Sequence, residues 1–326
     1  MSLNEIRQFL KPLMERVETR IDASLRSDIA LLDATNRSLR ENGGKLLRPM
    51  LGLLVGGACG TVNEDTVRYA AATELLHNST LLHDDVVDGA TERRGLPTVA
   101  TLLSGPAAVL IGDFWLVRCM QTILDADRYS ERVLRIYAKT LAHLAEGELL
   151  QMQKASSGDT TEADYLRIIF SKTASLFEAS AVAAAISVGA PEEVREAVGD
   201  FARNLGLAFQ IKDDIFDYDS LSAEVGKPVG IDLQEQKITQ PLLCALETVS
   251  EAEATAVRKK VVRILDHPEL SAEIRDFVLS HDGVSLAYRK LDEHIGHAIS
   301  CLEVLPDSRE KGYLIELARY VGERTR

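Results

Sequence analysis

Little in this chain interrupts it. Proline occurs 9 times and glycine 21 times in 326 residues, and no Pro/Ser-rich or low-complexity tract separates one half from the other. A single domain over residues 1–326 is therefore the expectation. Cysteine is rarer still: Cys59, Cys119, Cys244 and Cys301 lie far apart among apolar neighbours. That spacing excludes a zinc knuckle or a small disulfide scaffold and predicts buried thiols in a reducing cytoplasm. Positive charge is also short, with 37 Lys and Arg against 50 Asp and Glu and a net charge of -13. Without a basic stripe to neutralise phosphates, no nucleic-acid partner is expected. No apolar run of transmembrane length and no signal-peptide pattern stands out, so the expectation is a soluble chain without a transmembrane segment. Strand-like alternation between hairpin turns is missing, and no internal repeat is visible.

What is present is helical. Apolar residues make up 46% of the chain and recur with helical spacing over residues 66–82, 129–153, 163–188 and 192–209. The breaks fall at Gly43-Gly44, Gly95 to Pro97, Gly105-Pro106, Gly189 to Pro191 and Gly226 to Gly230, and Pro49, Pro106 and Pro191 suit first-turn positions. Residues 182–189 are apolar almost all round, as in the central helix of a large bundle. The fold class that follows is all-α, a multi-helix bundle.

Two acidic clusters stand out, Asp84-Asp85-Val86-Val87-Asp88 and Asp213-Asp214-Ile215-Phe216-Asp217. On a helix, Asp84 and Asp88 lie about 40° apart on one face, with Thr80 and His77 below them on the same strip, while Asp85 is rotated away to orient a ligand or a water. Asp213 and Asp217 share a face in the same way, with Gln210 about 60° from Asp213. Acids at i and i+4 repel on a bare helix. Hard oxygens so arranged suit Mg²⁺, which takes few carboxylates and keeps waters or phosphates in its other positions. One such cluster alone reads more readily as a solvated acidic helix end. Two, each closing a long apolar helix, suggest a metal cage built between facing helices of a bundle. Cations stand near the motif ends: Lys45 and Arg48 after the Gly43-Gly44 turn, Arg93-Arg94, Lys172-Thr173, Lys227 and Lys237. Each singly would pass for a surface charge; together they supply forks and point charges for phosphate.

In these motifs the chain resembles the all-trans polyprenyl diphosphate synthases, over nearly its whole length. The resemblance is carried by Gly43-Gly44-Lys45 with Arg48-Pro49, Leu81-Leu82-His83-Asp84-Asp85-Val86-Val87-Asp88, and Arg93-Arg94-Gly95. Gly112-Asp113-Phe114, Gly147-Glu148 with Gln151, Ser171-Lys172-Thr173-Ala174, Gln210-Ile211-Lys212-Asp213-Asp214 and Gly226-Lys227-Pro228 extend it. It implies an isoprenoid-synthase bundle with a central cavity, a homodimer, and up to three Mg²⁺ ions with substrate bound. It implies head-to-tail condensation of isopentenyl diphosphate with an allylic diphosphate such as farnesyl diphosphate. Carried over residue by residue, Lys45, Arg48, His77 and Arg94 would bind isopentenyl diphosphate. Arg93, Lys172, Thr173, Gln210, Lys227 and Lys237 would hold the allylic diphosphate. Asp84, Asp88 and Asp213 would be the metal ligands, with Asp85, Asp214 and Asp217 in support. The residues expected to carry catalysis are Asp84, Asp88, Arg93, Lys172, Asp213 and Lys227.

Two departures from the family pattern are visible. Leu46-Leu47 stand where an Arg is common, removing one cation, and Glu235-Gln236-Lys237-Ile238-Thr239-Gln240-Pro241 varies the loop around Lys237. In the family, side-chain bulk just upstream of the first cluster sets product length. Ser79 and Thr80 are small, which implies a long product of octaprenyl or decaprenyl type, as for a quinone side chain. Trp115 or Met120 offers a deeper floor or is plain core. The competing readings are a class I terpene cyclase, which needs no second diphosphate pocket, and a non-catalytic subunit of a heteromeric synthase.

Overall fold

The computed structural model describes residues 3–218 and 230–324. The regular elements of its described backbone are helices apart from one two-residue ladder, and it gathers into two compact units. The first comprises Met1–Ala138, Ala179–Gly199 and Val304–Glu316; the second comprises Lys139–Glu178, Asp200–Glu303 and Leu317–Arg326. In chain order come α1 (Leu3–Ser24), α2 (Ala30–Glu41), α3 (Leu47–Cys59) and α4 (Glu64–Val87). A hairpin of β1 (Glu92–Arg93) and β2 (Leu96–Pro97) precedes α5 (Val99–Leu102), α6 (Gly105–Leu124) and α7 (Ser130–Ser157). Next are α8 (Glu162–Ile169), a π-helical turn (Phe170–Ala174), α9 (Ser175–Ser187) and α10 (Glu192–Phe216). The chain closes with α11 (Ile231–Gln234), α12 (Gln240–Glu247), α13 (Glu251–Val262), α14 (Leu270–Ser280), α15 (Gly283–Cys301) and α16 (Arg309–Glu323).

The periodic stretches at 66–82 and 192–209 lie inside longer helices, because the acidic and polar ends of α4 and α10 stay helical beyond the last apolar residue, and 129–153 falls in α7 except for Tyr129, which precedes it with a φ of 61°. The stretch at 163–188 is not one regular helix: its period slips at the π turn, an inserted residue that apolar spacing does not report. The β1–β2 ladder, Glu92 against Pro97 and Arg93 against Leu96, is too short for alternation to show. Among the described residues, two helical runs reach the length and apolarity of a membrane span, α6 and Glu162–Ser187, against the expectation of none. The second is largely buried, so its apolar residues serve a core. α6 instead keeps Leu110, Val117 and Leu124 exposed, at 69%, 49% and 55%.

Within the first unit, α4 starts on a capping box in which the Asn63 side chain and Thr66 satisfy each other's backbone N–H. It packs along α6, where Ser79 Oγ donates to the Gly112 carbonyl at 2.8 Å. Trp115 of α6 is fully buried and donates Nε1 to Asn36 Oδ1 at 2.9 Å. That is a core contact with its one polar atom satisfied.

The second unit is organised around the π turn. α8 begins on the Thr161–Asp164 capping box, and the turn that follows is gripped by two glycines. A Cβ on Gly206 of α10 would lie 2.5 Å from Ala174 Cα, and one on Gly147 of α7 would lie 2.6 Å from Ser171 Cβ. Only bare backbone fits at either place. Gly206→Ala is therefore expected to lower unfolding free energy by about 1–3 kcal/mol through overpacking, read as a lower denaturant midpoint at unchanged slope.

Candidate active site

The first acidic cluster ends α4. Asp84 is half-buried, Asp85 is buried, and Asp88 is the exposed C-cap. A helix carries partial negative charge at its C-terminus, so acids there are unfavourable unless a cation joins them. α4 has no basic residue in its last turn. The cations come from elsewhere. Arg93, on β1, donates Nε to Asp85 Oδ1 at 2.7 Å. Arg94 and Gly95 form the two-residue turn, both with positive φ, of 55° and 78°. This geometry aims Arg94 away from Arg93: its Nη1 donates to the Asn42 carbonyl at 3.2 Å. A Cβ on Gly44 would lie 2.6 Å from Arg94 Nη2, so glycine there admits the guanidinium.

Beside it, Arg48 at the start of α3 donates Nη1 toward His77 Nε2 at 3.2 Å. Burial first, then the charges of Arg48, Arg94 and Arg93, push the His77 imidazole well below its usual range. It is neutral at pH 7 and accepts from Arg48. Sequence reasoning missed Glu74, one turn earlier on α4. It is buried, receives Asn78 Nδ2 at 2.9 Å, and has its carboxyl raised by burial while Arg48, Arg40 and Arg94 pull it down. Its i−3 spacing to His77 was the available signal. Lys45 is exposed on the approach to α3, and Leu46, where the family pattern often has Arg, takes a left-handed φ of 55°. Ser79 is fixed on α6 as described, whereas Thr80 is half-buried and turns its hydroxyl to the His77 carbonyl at 2.9 Å.

The second cluster ends α10, in the second unit. Asp214 is buried, accepting from Gln210 Nε2 at 2.9 Å and from Tyr165 OH at 2.7 Å. Gln210 Oε1 in turn accepts from Thr173 Oγ1 at 2.8 Å, which ties the π turn to α10. Burial, and then the charge of Asp232, raises the Asp214 carboxyl well above the ordinary range, and Asp232 itself is pushed up to about 6. Asp217 caps α11: its Oδ1 accepts from the Gly230 and Ile231 N–H groups, and its Oδ2 from Asp232 N–H at 3.0 Å. Asp213 is half-exposed and takes Arg324 Nη2 on Oδ1 at 2.7 Å. Lys172, on the π turn, donates to Gln151 Oε1 at 3.1 Å and pairs with Glu148. Lys237 pairs with Glu235 and, at 3.9 Å, with Asp232. A cavity of about 130 Å³ is lined by Lys172, Gln210, Asp214 and Lys237, among others. Lys227 lies outside the described residues. Tyr165 and Asp232 were not foreseen, since neither belongs to a local motif.

Among the described residues, no three acid, histidine or cysteine side chains converge into a ready-made metal nest. Few protein ligands, hard carboxylate oxygens and adjacent cations fit Mg²⁺ whose remaining positions go to phosphate or water, and do not fit a closed structural site. His77 also sets a pH dependence. Its folded pKa lies below its unfolded value near 6.5, so the unfolded chain binds the extra proton and stability falls as pH drops through that range. His77→Gln is expected to shrink the loss of thermal midpoint between pH 7.5 and pH 5.5, compared by calorimetry with the parent chain.

Known proteins resemble this chain over nearly its whole length. The pattern of the polyprenyl synthetase family matches residues 29–276. The chain is 36% identical to the octaprenyl diphosphate synthase of Haemophilus influenzae, over 98% of this chain and 96% of that one. It is similar to the crystal structure of a decaprenyl diphosphate synthase from Rhodobacter capsulatus, with a TM-score of 0.90, 36% identity and 99% of each chain covered. A polyprenyl synthase from Caulobacter crescentus, complexed with calcium and isoprenyl diphosphate, matches at a TM-score of 0.90 and 32% identity, covering 99% of this chain and 98% of that one. The chain belongs to the polyprenyl synthetase family and is a trans-prenyltransferase with the all-α fold of its relatives.

Proposed function

We propose that the chain joins isopentenyl diphosphate to an allylic diphosphate such as farnesyl diphosphate, repeatedly, to give a long all-trans polyprenyl diphosphate for a quinone side chain. The observation that carries this is the cluster of Arg48 on His77, Arg93 on Asp85 and Arg94 on the Asn42 carbonyl beside the first acidic cluster. Such a pocket receives an anionic head group without a proton to lose. Lys45, Arg48, His77 and Arg94 bind isopentenyl diphosphate. Arg93, Lys172, Thr173, Gln210, Lys227 and Lys237 bind the allylic diphosphate. Asp84, Asp88 and Asp213 supply the protein's oxygens to Mg²⁺, up to three ions with substrate bound. Asp85 orients Arg93, Asp214 orients Gln210, and Asp217 fixes α11.

Bound Mg²⁺ would neutralise the diphosphate as it departs. The arginines and lysines hold that diphosphate by charge-assisted hydrogen bonds, so the allylic C–O bond breaks toward a stabilised anion. The isopentenyl double bond attacks the allylic carbon, a C–C bond forms, and a proton leaves to the departed diphosphate. No side chain need act as base. Apolar surroundings keep water from the allylic cation.

Product length rests on the strip below Asp84. Thr80, with its hydroxyl turned onto its own helix, presents little bulk one turn below that carboxylate. The exposed Leu110, Val117 and Leu124 recur at heptad spacing along α6, an apolar seam that a second copy of the chain would bury, which supports a homodimer. The four thiols are unpaired, in keeping with a cytoplasmic enzyme.

Purified chain incubated with farnesyl diphosphate, isopentenyl diphosphate and Mg²⁺ is expected to yield products of roughly six or more isoprene units by mass spectrometry. Absence of any elongated product sinks the synthase reading, and a cyclised hydrocarbon favours a cyclase. In the same assay Thr80→Phe should shorten the product; an unchanged length removes Thr80 from the tunnel wall. Leu110→Glu combined with Val117→Glu should halve the mass seen by sedimentation equilibrium, and an unaltered mass places the dimer seam elsewhere.

A further inference from the structure

The last described residue, Arg324, is built into the second acidic cluster. Its backbone N–H donates to the Tyr320 carbonyl at 2.9 Å, extending the final turn of α16. The side chain then runs to α10, where Phe209, Asp213 and Phe216 occupy one face at i, i+4 and i+7. The guanidinium carbon lies 4.0 Å from the Phe209 ring centroid and 5.3 Å from that of Phe216. Nη2 donates to Asp213 Oδ1 at 2.7 Å and to the Phe209 carbonyl at 2.9 Å. Arg324 is only 8% exposed, and its buried Nε has no hydrogen-bond partner.

A surface ion pair does not look like this. Aromatic faces and a backbone carbonyl hold the cation in one place, so its charge is fixed on a carboxylate that is itself half-exposed. Asp213 is also the one residue of the second cluster that the reading above assigns as a metal ligand. Asp214 is engaged by Gln210 and Tyr165, and Asp217 by backbone N–H groups. We propose that Arg324 is a positioning residue that acts as a resident counter-cation for Asp213, opposing capture of a free divalent ion there and making capture conditional on diphosphate. The physics is a balance of signs. A divalent cation arriving alone at Asp213 meets a fixed positive charge a few ångströms away. A divalent cation arriving with diphosphate brings the anionic charge that offsets both. The guanidinium, a fork of five donors of which Asp213 and the Phe209 carbonyl take two, can then also serve that anion.

The inference rests on Asp213 as a metal ligand, and Mn²⁺ binding separates the two claims. Mn²⁺ is titrated into the full chain with and without inorganic pyrophosphate, free ion being followed by electron paramagnetic resonance. Arg324→Gln, which keeps a hydrogen-bond donor and removes the charge, should tighten Mn²⁺ binding without pyrophosphate by about tenfold or more, as expected on removing a close like charge near a surface. Arg324→Lys, which keeps the charge, should stay near the parent, a contrast that loss of packing alone would not produce. Asp213→Asn in the Arg324→Gln background should abolish the gain. If Arg324→Gln binds Mn²⁺ no better than the parent, or Arg324→Lys gains as much as Arg324→Gln, the counter-cation role is overturned. If Asp213→Asn alone leaves Mn²⁺ binding in pyrophosphate unchanged, the fault lies with Asp213 as a ligand.

Discussion

Carboxylates gathered at the negative ends of two helices dominate this molecule's electrostatics. α4 and α10 each close on acids without a basic residue in the last turn, where the backbone's unpaired carbonyls already face outward. Left bare, such ends would repel themselves apart. The surroundings of both clusters are best understood as answers to that problem. Arg93 crosses from the hairpin to Asp85, and Arg324 crosses from the C-terminal helix to Asp213. Tyr165 and Gln210 quiet Asp214, and the first turn of α11 wraps Asp217. The compensation is mostly delivered by side chains and backbone already committed to other contacts, which leaves the acids oriented and their charge only partly cancelled.

Orientation of that kind requires backbone held to fractions of an ångström. The π turn supplies it in the second unit by rotating Lys172 and Thr173 relative to a regular helix, and the glycines at 147 and 206 let neighbouring helices close on it. In the first unit Gly44 gives Arg94 room against the segment before α3. Leu46 adopts a left-handed conformation just there, at a cost of about 1 kcal/mol for a residue with a β-carbon. The local strain falls between Lys45 and Arg48, two cations of the proposed isopentenyl diphosphate pocket.

Much of this was legible in the sequence, and the limits have physical causes. Helical periodicity finds α7 and α10 because one face of each is buried, whereas α4 shows as a long apolar run buried on nearly all sides between Asp65 and Leu76. The i, i+4 spacing of Asp84 and Asp88 shows their shared face without any structure. Spacing does not show what engages a carboxylate: Asp217 has the same periodicity as Asp88, yet both its oxygens are spent on backbone N–H groups some 13 to 15 residues away. Tyr165 reaches Asp214 across 49 residues, and Arg324 reaches Asp213 across 111. Such pairings are made by tertiary packing and leave no local mark. The π turn is hidden for the opposite reason, since an inserted residue inside an apolar run alters the phase but not the composition.

The β1–β2 hairpin carries a consequence for how this chain can vary. Arg93 sits on a strand and Arg94 in a two-residue turn, and only that register sends one guanidinium to Asp85 and the other to Asn42. Losing or gaining one residue between Asp88 and Gly95 would not merely shorten or lengthen a loop. It would move both arginines one place along the register in the same direction, so that one takes the other's address and the second address goes empty. The segment thus behaves as a ruler with two marks, tolerant of substitution along its length and intolerant of any change in the length itself.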